Sequence, residues 1–118
     1  MNEKELFIKI AEQIEAKADE LTWIDSSNAT AEHDVQVFIT IIDKNIVSIA
    51  RFPNKIKYVC AIRIARCKNV FDLIAEEKDP YLKTFEKAFF AAYNSFWKKG
   101  EKMNSNFVLK EVLKILNS

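Results

Sequence analysis

The sequence predicts an α+β domain in which three strands form an antiparallel meander and helices pack on one face of the sheet. Three patterns in the spacing of apolar residues support this prediction. Apolar residues recur every three or four positions at the start of the chain, alternate in its middle, and form an aromatic-rich helical arc towards its end. The expected order of elements is α-β-β-β-α-α-α, within a single domain that spans residues 1–118.

The first helix is predicted over residues 3–21. Asn2 can cap this helix, because its side chain can accept a hydrogen bond from a backbone N–H of the first turn. Residues 22–33 show no period and predict a loop. The apolar residues of the helix share one face and indicate that this face is buried: Leu6, Phe7, Ile10, Ala11, Ile14, Ala18 and Leu21.

The middle of the chain is rich in β-branched residues, which favour strands. Strands are predicted over residues 35–42, 46–52 and 55–65, with turns at Asp43-Lys44-Asn45 and Pro53-Asn54. Positive φ in the first turn is expected at Asn45, because asparagine tolerates that conformation.

The third predicted strand shows the clearest alternation. Its apolar set is expected to face the core: Ile56, Tyr58, Cys60, Ile62 and Ile64. The alternate set includes Lys55, Lys57 and Arg63 and is expected to face water, as in antiparallel sheets that are covered on one side only.

Three helices are predicted after the strands. A short helix over residues 70–78 begins after Asn69, and Asp79-Pro80 then restarts the chain in a second helix. This second helix contains the stretch 81–97, which holds seven of the fourteen aromatic residues, and it is expected to end at Gly100. Its apolar arc is wider than half the circumference, so we expect a sheet and another helix, or a partner chain, to cover it on two sides.

A last helix is predicted to begin after Ser105 or Asn106. It has a broad apolar side, and one small sheet can be too small to cover it. Self-association as a homodimer is therefore one alternative. The apolar residues of this side are Val108, Leu109, Val112, Leu113, Ile115 and Leu116.

Charge is strongly segregated along the chain, although the formal net charge is only +1. Residues 1–34 carry a net charge of −6, residues 35–71 a net charge of +6, and residues 72–118 a net charge of +1. All three arginines lie in the basic middle segment. Such a segment can bind an acidic protein surface or the phosphates of a nucleic acid, or it can be a solvated face with no ligand.

The sequence contains no motif that is typical of an enzyme or of a bound cofactor. A single glycine excludes a glycine-rich phosphate-binding loop, and neither His33 nor the two cysteines show a known metal-ligand spacing. We therefore expect no catalytic activity, no cofactor and no metal ion. The weaker alternative is a small enzyme that uses Cys67, beside Arg66 and Lys68, or His33.

The predicted function is that of a small protein-interaction or adaptor domain in the cytoplasm. The chain shows no signal peptide and no apolar run long enough to span a membrane, so no membrane partner is expected. The expected partner is a protein with an acidic surface, and a nucleic acid bound by the basic strands of residues 44–68 is the alternative. The predicted partner-binding residues are Arg51, Lys55, Lys57, Arg63, Arg66 and Lys68.

Overall fold

The fold is α+β and is built from a five-stranded antiparallel sheet with two α-helices on one face. The computed structural model describes residues 1–27, 35–64, 69–101, 112–113 and 116–117. Its helices are α1 (Glu3–Lys17), a 3-10 turn (Ala18–Glu20) and α2 (Leu82–Glu101). Its strands are β1 (Ile24–Asp25), β2 (Gln36–Ile42), β3 (Asn45–Phe52), β4 (Lys57–Ile64) and β5 (Val70–Glu76).

The strands pair in sequence order, β1-β2-β3-β4-β5, and every pair is antiparallel. The three predicted strands correspond to β2, β3 and β4. The predicted set of three is nevertheless incomplete, because β1 and β5 extend the meander at its two edges. The predicted order α-β-β-β-α-α-α is therefore wrong, since five strands lie between α1 and α2.

The segment that was predicted as a helix over residues 70–78 is strand β5. Leu73 lies opposite Cys60 and Ala75 opposite Tyr58 in β4, so both point towards the core. Asp72 and Ile74 alternate with them and point to the other face. Pairing with the exposed edge of β4 therefore overrides the local helical preference of this segment.

The turn between β2 and β3 is shorter than predicted. Ile42 pairs with Asn45, so Asp43 and Lys44 form a two-residue turn. Both have positive φ, 48° and 69°, as a tight hairpin of this length requires. The expected positive φ at Asn45 is therefore not observed, because Asn45 already belongs to β3.

Helix α1 begins as predicted and ends earlier. The Asn2 side chain accepts a hydrogen bond from the Glu5 backbone N–H at 2.8 Å, which satisfies one of the free donors of the first turn. The α-helix stops at Lys17, and the 3-10 turn completes the predicted span almost to residue 21. Phe7, Ala11 and Ile14 form the buried stripe.

Helix α2 is covered on two sides within the same chain. Its large aromatic residues, including Phe85 and Phe89, lie in the core cluster with the sheet. On its other side the Ser95 hydroxyl donates to the Ala18 carbonyl at 3.0 Å, at the end of α1. The helix begins at Leu82 and continues to Glu101, one residue beyond the predicted stop at Gly100.

Asp79, at the predicted start of the second helix, does not cap α2 with its side chain. Its carboxylate instead accepts a hydrogen bond from the Glu76 backbone N–H at 2.7 Å, in the turn that follows β5. The last predicted helix falls largely outside the described residues. Of its apolar side, Val112, Leu113 and Leu116 are described as helical and exposed.

The core lies between the inner face of the sheet and the two helices. Phe38 of β2 is 2% exposed, and its ring centroid lies 5.7 Å from that of Phe89, 5.9 Å from Tyr93 and 5.3 Å from Phe96. Aromatic pairs at these spacings stabilise a core beyond the area that they bury. This cluster therefore determines which face of the sheet the helices cover.

The position of Phe89 predicts a large loss of stability on truncation. Phe89→Ala should lower the free energy of unfolding by about 3–5 kcal/mol, because it removes a buried ring and leaves a cavity. Lys87→Ala is the control, because Lys87 is exposed on the same helix. Denaturant midpoints measure both changes, and similar small effects would contradict the orientation of α2.

Candidate interaction surface

The sheet face turned away from the helices has no cover among the described helices and strands. Residues opposite each other in an antiparallel sheet point to the same face, so the strand register assigns this outer face. It consists of Ile24, Val37, Ile39, Ile41, Ile46, Ser48, Ala50, Phe52, Lys57, Val59, Ala61, Arg63, Val70, Asp72, Ile74 and Glu76.

The centre of the outer face is apolar and shallow. Ser48, Ala50 and Ala61 lie next to one another on β3 and β4, and their side chains are small. The Ser48 hydroxyl donates to the Ala61 carbonyl at 3.4 Å, so it is occupied within the sheet. Ile39 and Val59 stand beside this group and form its walls. A partner can therefore insert apolar side chains here.

The periphery of the outer face exposes large aliphatic side chains. Ile41 is 60% exposed, Val70 58% and Ile24 47%. Antiparallel sheets that meet water on one side usually carry polar residues there. Apolar residues in this number on one exposed face are typical of an interaction site. Alternation along the third strand predicted Lys57 and Arg63 on this face, but the exposed aliphatic side chains of Ile24, Ile41 and Val70 were not predicted there.

The predicted basic residues do not gather on one surface. Lys57 and Arg63 both lie on the outer face, but they are six residues apart on β4 and so roughly 20 Å apart. Lys57 places its ammonium 4.5 Å from the centroid of the Phe52 ring. The acidic residues Asp72 and Glu76 of β5 lie on the same face. The two cations therefore flank the apolar centre and share the face with two carboxylates.

Arg51 lies on the inner face, away from Lys57 and Arg63. It pairs with the buried Tyr58 in the register, and its guanidinium carbon lies 5.4 Å from the centroid of the Phe90 ring. One of its nitrogens also donates to the Gln36 side chain at 3.4 Å. Burial raises the pKa of Tyr58, and Glu86 raises it further, whereas Arg51 lowers it. Arg51 therefore makes contacts that join the sheet to α2.

Lys55 lies in the turn between β3 and β4. With Arg51, Tyr58 and Glu86 it lines a cleft of about 350 Å³ at the end of the sheet. The structure thus brings Lys55 close to Arg51, and the register does not place Lys55 in either sheet face. Arg66 and Lys68, the remaining predicted binding residues, lie outside the described residues.

Part of each edge of the sheet is closed to another strand. Strand β1 is only two residues long, and short edge strands limit pairing with other chains. On β5, the Ile74 carbonyl accepts from the Tyr81 hydroxyl at 2.9 Å and the Glu76 N–H donates to Asp79. Ile74 and Glu76 are two residues apart, so these groups belong to the same free edge. The outer face is therefore the more available binding surface.

Cys60 is fully buried in the core. Burial raises the pKa of its thiol to about 12, so the thiol stays protonated and unreactive at neutral pH. Cys67 and His33 lie outside the described residues. Within the described part of the chain, no three histidine, cysteine or acidic side chains are grouped as metal ligands.

The described helices include none that is long and apolar enough to cross a membrane. No protein-family model matches this chain, and no curated protein or solved structure shows a significant match to it.

The buried state of Cys60 predicts its reactivity. A thiol-alkylating reagent at pH 8 should leave Cys60 unmodified in the folded protein and modify it fully in denaturant, where its pKa returns to about 8.5. Since the folded state holds the proton more tightly, stability should fall as pH rises from that value towards 12. Peptide mass spectrometry separates Cys60 from Cys67, and rapid native labelling of Cys60 would contradict its burial.

Proposed function

We propose that this chain is a non-catalytic protein-interaction domain that binds a partner through the outer face of its sheet. The observation that supports this most is the set of exposed aliphatic side chains on this face, which includes Ile24, Ile41 and Val70. Burial of such a surface against a partner supplies the main favourable term in protein association. The blunted sheet edges support binding across the face over pairing along an edge.

The partner proposed for this face is a protein surface with an apolar middle and carboxylates around it. Lys57 and Arg63 flank the centre on opposite sides along β4. Arg63 is exposed, and its planar guanidinium can form two parallel hydrogen bonds with one carboxylate. Charged groups at a rim mainly govern the rate and specificity of association, while the apolar centre contributes affinity.

A nucleic acid is a weaker candidate for this face. Asp72 and Glu76 would repel phosphates that approach Lys57 and Arg63. Base stacking needs exposed aromatic rings, and Phe52 is the one aromatic residue among those that the described register assigns to the outer face. The aliphatic side chains that dominate the face suit a protein partner better than a phosphate backbone.

Substitutions on the outer face test this proposal. The immobilised full-length chain should retain a defined protein from a cell extract, and Lys57→Glu with Arg63→Glu should weaken that retention by at least about tenfold. Ile41→Asp should do the same, because it places a charge among the exposed aliphatic side chains of the contact. Lys87→Glu, on the exposed side of α2, is the matched control and should retain the protein normally.

Fluorescence anisotropy with labelled random oligonucleotides tests the alternative. At physiological salt the wild-type chain should bind them negligibly. Tight binding that is lost on reversal of Lys55, Lys57 and Arg63 to glutamate would favour the nucleic-acid function. Equal retention of the protein partner by the wild type and all outer-face variants would show that the proposed surface is wrong.

A further inference from the structure

A second apolar surface lies on the opposite side of the molecule from the outer face. It is a groove of about 530 Å³ between α1 and the ends of β2, β3 and β4. Its walls are aliphatic and include Leu6, Ile10, Ile14, Ile42, Val47 and Ile62. Its volume is in the range of pockets that bind ligands or peptide segments. Because no aromatic ring lines it, the groove suits aliphatic side chains.

None of the residues that the structure describes covers the groove. Leu6 is 49% exposed and Ile42 44% exposed, and both stand at its rim. The core-facing stripe of α1 is buried against α2, so these two residues point to a part of the inner side that α2 leaves uncovered. Covering the groove would remove apolar surface from water, at a gain of about 25 cal/mol per Å².

The C-terminal segment after Glu101 carries the matching apolar residues. Val112, Leu113 and Leu116 are helical and exposed, Leu113 by 57%. Their spacing places them on one side of a helix. An aliphatic helix side and an aliphatic groove of helical length complement each other, as in complexes where an amphipathic helix occupies a groove. Residues Glu3–Lys17 of α1 give this groove one wall that is itself a helix of fifteen residues.

We propose that the groove binds the C-terminal segment of a second copy of this chain, in a reciprocal exchange that forms a two-fold dimer. In one chain the groove is open while Val112, Leu113 and Leu116 are exposed, so the chain does not fill its own groove with them. A second copy supplies an apolar helix side for the first groove and a groove for the first C-terminal segment. In a two-fold dimer the same contact is therefore formed twice.

The position of the end of α2 is consistent with this exchange. Lys99 donates to the Leu21 carbonyl, and Ser95 donates to the Ala18 carbonyl. These bonds fix the end of α2 beside the end of the groove, where Lys17 and Leu21 contribute to the lining. Helix α2 therefore ends next to a groove, so the segments that follow it in two chains can be exchanged around a nearby two-fold axis.

Sedimentation of the full-length protein tests the proposal with a matched pair of variants. Ile42→Asp alters the groove, and Ile41→Asp alters the outer face one residue away; both positions are exposed, so both variants should fold. The wild type should form a dimer at micromolar concentrations. Ile42→Asp and Leu113→Asp should each raise the dissociation constant at least about tenfold, whereas Ile41→Asp should leave it unchanged.

Mixing the two disruptive variants gives the decisive result. When each substitution alone abolishes the contact that it alters, a heterodimer of Ile42→Asp with Leu113→Asp keeps one intact contact and each homodimer keeps none. An equimolar mixture should then associate more tightly than either variant alone. A wild type that stays monomeric, a dimer disrupted by Ile41→Asp instead of Ile42→Asp, or a mixture with no gain would each overturn the exchange. Circular dichroism of each variant checks that its fold is intact. Ile41→Asp alters only the outer face, and Ile42→Asp alters only the groove. The binding of a partner by the outer face and the formation of the dimer are therefore tested independently, and either proposal can fail without the other.

Discussion

The contact between Phe38 and the aromatic side of α2 is the interaction on which the rest of the structure depends. Phe38 is the residue of β2 that meets Phe89, Tyr93 and Phe96 at once. Neighbouring side chains in a strand point to opposite faces, so the burial of Phe38 fixes the direction of every other side chain in β2. Because paired residues point to the same face, the strand register then fixes the side-chain directions in β3, β4 and β5. A slip of one residue would bury Ile39 and expose Phe38. The same contact holds α2 against the sheet, so α1 can pack beside it.

The burial of the Phe38 side gives a two-layer domain with apolar residues on both sides of its sheet. The inner side is satisfied by α1 and α2, except at the groove between α1 and the ends of β2, β3 and β4. The outer side carries Ile39, Val59 and their neighbours without a covering layer among the described residues. The β5 edge, in contrast, is occupied by Tyr81 and Asp79. A chain that protects an edge but leaves a face open is consistent with association through that face, on which the proposed function rests.

Much of the architecture follows from local sequence patterns. The elements that these patterns did not predict were missed for physical reasons. Asn2 and the apolar stripe of α1 are local features, and the alternation around Cys60 is strong enough to predict β4. Strand β5 was missed because Val70, Phe71 and Ile74 also fit helical spacing, and only its pairing with β4 decides the conformation. Strand β1 is too short to show a period.

The interaction surface was harder to predict than the fold. The charge pattern along the chain groups Arg51 with Lys57, but alternation places them on opposite faces of the sheet. The aliphatic outer face did leave a signal, because Val37, Ile39 and Ile41 are as apolar as Phe38 and Ile42, a pattern typical of strands with two buried faces.

The proposed function depends on helices that cover only the Phe38 side of the sheet and leave the other side exposed. Methyl NMR with a soluble paramagnetic probe measures this directly, in a sample dilute enough to be monomeric. The Ile41 and Ile74 methyl signals, which belong to the outer face, should broaden strongly, and the signal of Ile49, which is fully buried, should not broaden. Protection of Ile41 and Ile74 equal to that of Ile49 in the monomer would contradict this arrangement, because another part of the chain would then cover the proposed interaction surface.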